Sequence, residues 1–341
     1  MGLFSFLIRE LAIDLGTANT IIMENDKIVV DEPSIIARDL KSGKMVAIGR
    51  KAQQMHGRTH DNIITIRPLK DGVIADFEAT EEMIRGMINM SRKKGQIFSP
   101  SLRVVVGIPS GSTEVERRAV RNSAEHCGAK EVYLIYEPMA AAVGIGLDVE
   151  APEGNMVIDI GGGTSEIAVI SLGGIVAHKS IRVAGDEFTS DIREHMRKVH
   201  NIRIFERTAE EIKKNVGSAL ASLDNPPPDY VVRGPHQMTA LPVEIPVTYQ
   251  EVAQSLDKSI VKIESAVMEV LENTPPELYA DIYKNGINLT GGGALLRGLD
   301  KRLSEKTKLP VRVAEDPLHA VAHGTFISLK NVDKFPFLMR S

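Results

Sequence analysis

The chain has 341 residues, with 41 Lys and Arg against 45 Asp and Glu and a formal net charge of −4. At 43% hydrophobic and 25% charged residues it reads as a globular protein long enough for two domains, and its charge gives no global reason to expect nucleic-acid binding. The one cysteine, Cys127, excludes a disulfide framework and a Cys-rich metal site within one chain, and reads as a small apolar residue in a reducing compartment.

Strand and helix patterns alternate along the chain, which predicts an α/β fold. The apolar start Met1 to Ile8 lacks a basic leader and a small-residue cleavage site, and Arg9-Glu10 interrupts it. Phe6 stands where a myristoylation signal needs Ser or Thr. No apolar run is long enough to span a bilayer, so a cytoplasmic protein is expected. Leu3, Phe4, Leu7, Ile8 and Leu11 would share one helix face suited to a membrane interface, unless the segment simply extends the first strand.

Leu11 to Thr17 then reads as a short apolar strand running through Asp14 into a glycine turn, with a second strand at Thr20–Met23. In Arg92-Lys-Lys-Gly-Gln-Ile-Phe98, the Ile97-Phe98 tip beside three basic residues would suit anionic headgroups, although a charged surface loop is the commoner explanation. Residues 112–126 form a helix with Ser112 and Thr113 as candidate caps and Glu116 at capping-box spacing. Val157 to Thr164 echoes the first hairpin, with Asp159, a glycine turn and a following strand at Ile167–Ile170. Two such units far apart predict two related domains rather than a solenoid.

Residues 208–223 read as a helix with Ile212, Val216, Leu220 and Leu223 on one stripe. Pro226 to Pro228 marks an extended connector. Residues 249–273 place Val252, Leu256, Ile260, Ile263, Val267 and Leu271 on one face, and Pro275-Pro276 lies beyond that helix. The strand-like Ile287–Thr290 runs into Gly291-Gly-Gly-Ala-Leu-Leu-Arg-Gly298, which could open a helix.

Glycine turns let backbone N–H groups approach phosphate oxygens closely. Gly16-Thr17-Ala18-Asn19 offers amides, a hydroxyl and a side-chain amide, and Gly161-Gly162-Gly163-Thr164 offers a second cradle. Gly291-Gly292-Gly293-Ala294 is a third, at a position where a helix start would suit a phosphate or a ribose. Asp14 and Asp159 would repel phosphate unless a cation intervened, and two facing carboxylates suit Mg2+ held partly through water. The plainer alternative is that each Asp caps its own turn. The chain has no Walker sequence and no Gly-x-Gly-x-x-Gly after its first strand.

In kind and order, these motifs resemble the phosphate 1, phosphate 2 and adenosine motifs of the actin, sugar-kinase and chaperone ATPase superfamily. Within it, the chain resembles the MreB family of bacterial actins through Ile13 to Thr20, Arg67 to Phe77, Glu137 to Ala142 and Leu289 to Leu299. The resemblance covers nearly the whole chain. It implies an actin-like ATPase fold of two duplicated ribonuclease H-like domains, each with a small inserted subdomain, and with ATP and Mg2+ in the cleft. Subdomain IA would take 1–31, 67–145 and 318–341, and IB 32–66. Subdomain IIA would take 146–181 and 248–317, and IIB 182–247.

The resemblance also implies residue roles. Glu137 would orient the attacking water, with Thr164 as its partner, because phosphoryl transfer needs mostly positioning and charge neutralisation. Glu137 before Pro138 also reads as an ordinary helix start. Glu210-Glu211-Ile212-Lys213 would contact the adenosine, although alone it reads as a charged helix face. Gly185-Asp186 would line the same cleft. Three positions depart from the family pattern: Tyr136 replaces an acidic residue, Ser165 a second Thr, and His323 an apolar residue before Gly324.

The resemblance implies a slow ATPase that assembles head to tail into protofilaments, paired antiparallel. It also implies attachment to the inner face of the cell membrane and work with cell-wall elongation membrane proteins to set cell shape. A small-molecule kinase or a chaperone-type ATPase shares the fold. The compact 32–66 segment leaves little room for a sugar pocket, and too few residues follow the adenosine motif for a peptide-binding domain.

Overall fold

The computed structural model describes residues 8–92 and 101–340. Leu3, Phe4, Leu7, Ile97 and Phe98 lie outside the described residues. Ile8 opens the strand Ile8–Leu15, and Leu11 is fully buried within it, so these two belong to a sheet and not to an interfacial helix face.

Two sheets repeat one topology. In the first, Ile8–Leu15, Asn19–Glu24 and Lys27–Pro33 run antiparallel in sequence. Ser101–Ile108 then pairs parallel with Ile8–Leu15, and Ala129–Tyr136 parallel with Ser101–Ile108. In the second, Asn155–Ile160, Ser165–Ser171 and Gly174–Ile181 run antiparallel, and Ile287–Thr290 and Val311–Val313 follow in parallel. The hairpin echo in the sequence is therefore an echo of whole sheets. We call the body around each sheet a lobe.

Strand alternation decides which way each side chain points. Leu11, Ile13 and Leu15 face an outer core with the helices Phe77–Met90 and Glu114–His126, whereas Ala12 faces inward. Met156, Ile158 and Ile160 face an outer core with the helices Gly185–Val199, Tyr249–Glu272 and Leu299–Thr307, whereas Val157 faces inward. The two inner faces share one core with the helices Glu137–Gly144 and Ala320–Lys330, which lie between the sheets. By the same period of two, Asp14 and Asp159 fall on the inner faces and converge.

Smaller pieces decorate each lobe. Met45–Ile48, Ile36–Asp39 and Ile63–Ile66 form a three-stranded sheet beside the helix Arg50–Met55. Tyr230–Pro235 and Pro242–Val247 form a hairpin near the helix Glu206–Val216.

The helix at 112–126 starts as read, with Thr113 and Glu116 forming a reciprocal capping box. The long apolar stripe over 249–273 is the helix Tyr249–Glu272, with all six named residues buried. The helix read over 208–223 stops at Val216. Gly217 turns extended there, and Ala219 N–H donates to Arg297 O at 2.8 Å, so Leu220 and Leu223 leave the helical stripe. Pro276 takes the first position of a further helix, Pro276–Asn285, where a missing N–H costs nothing. Gly291 leads into a short 3-10 turn, Gly292–Leu295, rather than directly into an α-helix.

Candidate functional site

The site lies at the carboxyl ends of the parallel strands of both sheets, where open α/β sheets place ligands. Ile8–Leu15 delivers the loop 16–19, and Asn155–Ile160 delivers the loop 161–164. Leu15 pairs with Thr20, and Ile160 with Ser165, so the loops have equal length. They touch. A methyl group built on Gly163 would sit 2.6 Å from Thr17 Oγ1, so only glycine admits this approach. The tip of the hairpin Leu69–Lys70 and Val73–Ile74 wedges in from the side, and Gly72 N–H donates to Thr17 Oγ1 at 3.0 Å.

Beneath the loops sit Asp14, Glu137, Asp159 and Glu166. Glu137 opens the helix Glu137–Gly144 and is 9% exposed; Thr164, across the cleft, is 7% exposed. Asp159 accepts from Thr290 Oγ1 at 2.8 Å. Glu166 lies in Ser165–Ser171, a strand whose every residue is buried, and is itself fully buried. It accepts from Ser110 N–H at 2.9 Å and Ser110 Oγ at 2.5 Å in the first lobe, and from Ser180 Oγ at 2.5 Å in the second. Glu166 therefore ties the lobes together directly behind Glu137.

Burial disfavours the charged forms of all four, and mutual repulsion adds to it. Burial and the Asp159 carboxylate raise Asp14 to about 7. Burial raises Asp159 to about 6 against the opposing Thr290 hydrogen bond. Burial, then Glu166, Asp14 and Asp159, hold Glu137 well above the ordinary range. Burial also raises Glu166 despite its serine donors. A cleft floor that resists carrying its full negative charge is a fitting seat for a divalent cation.

This gives a test in the cation-free protein. Asp14 titrates near 7 when folded against 3.8 as a free side chain, so the folded chain holds that proton more tightly. The associated stability is present at low pH and lost as pH rises through about 7. In EDTA, Asp14→Asn should therefore gain about 2 kcal/mol on the unsubstituted chain between pH 5 and pH 8 in urea unfolding. A difference constant across that range would contradict the assignment.

The second lobe adds a corner of mixed charge. Gly185 and Asp186 open the helix Gly185–Val199, and their N–H groups donate to Gly161 O at 3.1 Å and Gly162 O at 2.8 Å. Lys213 Nζ donates to Gly185 O at 2.8 Å and pairs with Glu210 at 2.6 Å. Burial raises Asp186, with Arg67 and Lys213 opposing. Glu210 and Lys213 thus reach the second loop's neighbourhood, one helical turn apart. Glu211 instead accepts from Tyr230 OH at 3.2 Å, and the Ile212 side chain is buried in the outer core. The structure does not bring those two side chains to the cleft. Gly291 to Ala294 follow the strand that ends beside Asp159, as Thr290 pairs with it.

A family model described as MreB/Mbl protein matches residues 8–336. The chain belongs to that family. It is 48% identical to the cell shape-determining protein Mbl of Bacillus subtilis strain 168, over 96% of this chain and 98% of that protein. It is 48% identical to the cell shape-determining protein MreB of Escherichia coli K12, over 97% and 95%. The structure of MreB5 of Spiroplasma citri bound to AMPPNP superposes with a TM-score of 0.89 at 39% identity, covering 95% of this chain and 97% of that one. The fold is actin-like.

Within this family framework the departures acquire reasons. Ser165 is fully buried and its hydroxyl donates to Val183 O at 2.6 Å, so it braces the second lobe. Tyr136 OH accepts from Arg117 at 3.4 Å, on the outer helix. Sequence reading did not single out Glu166, Ser110 or Glu206. Glu206 pairs with Arg67 across the mouth of the cleft. A carboxylate directly before the apolar run Ile167–Ile170 is the available signal for Glu166.

Proposed function

We propose that this chain binds ATP, hydrolyses it slowly to ADP and phosphate, and uses that cycle to control filaments that set cell shape. The observation that carries the reading is the meeting of two matched glycine loops over Asp14, Glu137, Asp159 and Glu166. The structures of MreB5 of Spiroplasma citri with AMPPNP and with ADP support an adenine nucleotide in this cleft.

Loop amides at 16–19 and 161–164 hold the phosphates, with the Thr17 hydroxyl fixed by Gly72 N–H. Asp14 and Asp159 are the residues that would hold Mg2+, partly through water, and the ion would supply neutralising charge at the phosphates. Glu137 and Thr164 hold and orient the attacking water. Glu210, Lys213 and residues 291–294 frame the nucleoside side. The two small sheets support a division into IA, IB, IIA and IIB as bounded above. Closing or opening the lobes around the helix pair would alter head-to-tail contacts, and hence the filament.

No helix of the described residues is long and apolar enough to cross a membrane. Attachment to the inner face of the cell membrane is proposed through Leu3, Phe4 and Leu7 with Ile97 and Phe98. Cell-wall elongation membrane proteins are the proposed partners there.

Electron microscopy of the purified chain on anionic vesicles, with ATP and without nucleotide, tests this reading. Paired filaments on lipid with ATP are expected. A chain that stays monomeric and phosphorylates a sugar overturns it. Phe4→Asp with Phe98→Asp should weaken vesicle pelleting, and unchanged pelleting would remove the membrane proposal alone.

A further inference from the structure

A second group of ligating side chains lies away from the cleft. His195 sits near the end of the helix Gly185–Val199, and His200 caps that end. Glu251 stands in the first turn of the helix Tyr249–Glu272, its N–H donating to the Thr248 hydroxyl at 3.2 Å. His195 Nε2 lies 2.6 Å from Glu251 Oε1, and His200 Nε2 contacts the same oxygen. One ligand atom from each residue falls within 4.8 Å of the other two.

We propose that His195, His200 and Glu251 form a site for a borderline divalent transition-metal ion of the zinc class. Both Nε2 atoms converge on Glu251 Oε1, and the imidazole rings meet edge-on, with centroids 6.0 Å apart and planes at 71°. The side chains are only 16%, 23% and 18% exposed, so they are already held in place and partly dehydrated. Less ordering entropy is then lost on binding.

Donor chemistry selects the ion. Two imidazoles and one carboxylate suit Zn2+, Co2+ or Ni2+, whereas Mg2+ and Ca2+ favour oxygen ligands throughout. Bonds of about 2.0–2.2 Å in a tetrahedron set ligand atoms roughly 3.3 Å apart. Glu251 must therefore draw back by less than about 1 Å, within reach of a side-chain rotation. Three protein ligands leave a fourth position for water.

The ion would clasp the far end of the helix whose near end, Gly185, bonds the second glycine loop. This site stands independently of the nucleotide reading. A simple carboxylate–imidazole ion pair is the competing account, and it predicts no metal affinity.

The test is calorimetric titration of the full chain with ZnCl2, with millimolar Mg2+ present to occupy the cleft carboxylates. The expected result is one Zn2+ per chain at micromolar or tighter affinity. Glu251→Gln should weaken it on the order of tenfold or more, and His195→Ala with His200→Ala on the order of a hundredfold. If the double variant does not fold, X-ray absorption of the zinc-loaded unsubstituted chain decides. Two nitrogen ligands at about 2.0 Å support the site. An oxygen-only shell, no stoichiometric binding, or equal affinity in folded variants overturns it.

Discussion

Glu137→Ala should lower phosphate release from ATP by roughly a hundred- to ten-thousandfold while leaving nucleotide affinity within about threefold. The separation follows from where the groups sit. The proposed binding groups are the amides of 16–19 and 161–164, the Thr17 hydroxyl and the corner built by Gly185 and Lys213, and Glu137 is not among them. The Glu137 carboxyl instead stands at the first turn of the helix between the lobes, behind the loops and opposite Thr164. Burial and its carboxylate neighbours raise its proton affinity, so the proposed water-orienting carboxylate would be a stronger base than an ordinary glutamate. A phosphate-release assay beside a nucleotide-binding titration reads the two effects separately. Unchanged release, or binding lost in proportion to release, would remove Glu137 from the role.

How far the sequence reached depends on the distance over which each feature is decided. The paired Asp–Gly hairpins were legible because each is one strand, one turn and one strand, and strand alternation then dictates that Asp14 and Asp159 face inward. The capping box at Thr113 was legible for the same reason: it is closed within a single turn. The helix end at Val216 was misread because the stripe continues through Leu220 and Leu223, while the deciding partner, Arg297, comes much later in the chain. The family resemblance takes Glu210 to Lys213 as one adenosine-contacting segment, but a helix places neighbours such as Glu211 and Ile212 on different faces from Glu210 and Lys213. Glu166 looks like a solvent-facing member of a strand until both of its sides are known to be covered. Ser110, its donor from the other lobe, has no local mark at all. Arg67 with Glu206, and His195 with His200 and Glu251, likewise become groups only after the chain folds back on itself.

The same rule gives the last expected result: Gly324→Ala should destabilise the chain by about 3 kcal/mol, although glycine to alanine inside a helix ordinarily stabilises by about 1 kcal/mol. Gly324 lies within Ala320–Lys330, where it crosses Glu137–Gly144. A methyl group on Gly324 would sit 1.7 Å from Ala140 O, and one on Gly144 would sit 1.9 Å from Ala320 O. Both obstacles are backbone, so no rotamer change relieves them. The helices must separate by more than an ångström, and they form the layer on which the inner faces of both sheets pack. Opening that layer leaves voids against Ala12, Val157 and their neighbours, and interiors tolerate voids poorly. Gly174→Ala is the control, because its nearest obstacle would be 3.7 Å away. Urea unfolding of both variants should show the loss at 324 and a change within about 0.5 kcal/mol at 174. A Gly324→Ala chain as stable as the unsubstituted one would mean that the helix crossing is not as tight as drawn. The two lobes would then have slack between them, and Glu137, which opens one of the crossing helices, would not be held in register with Thr164 in the loop of the opposite lobe.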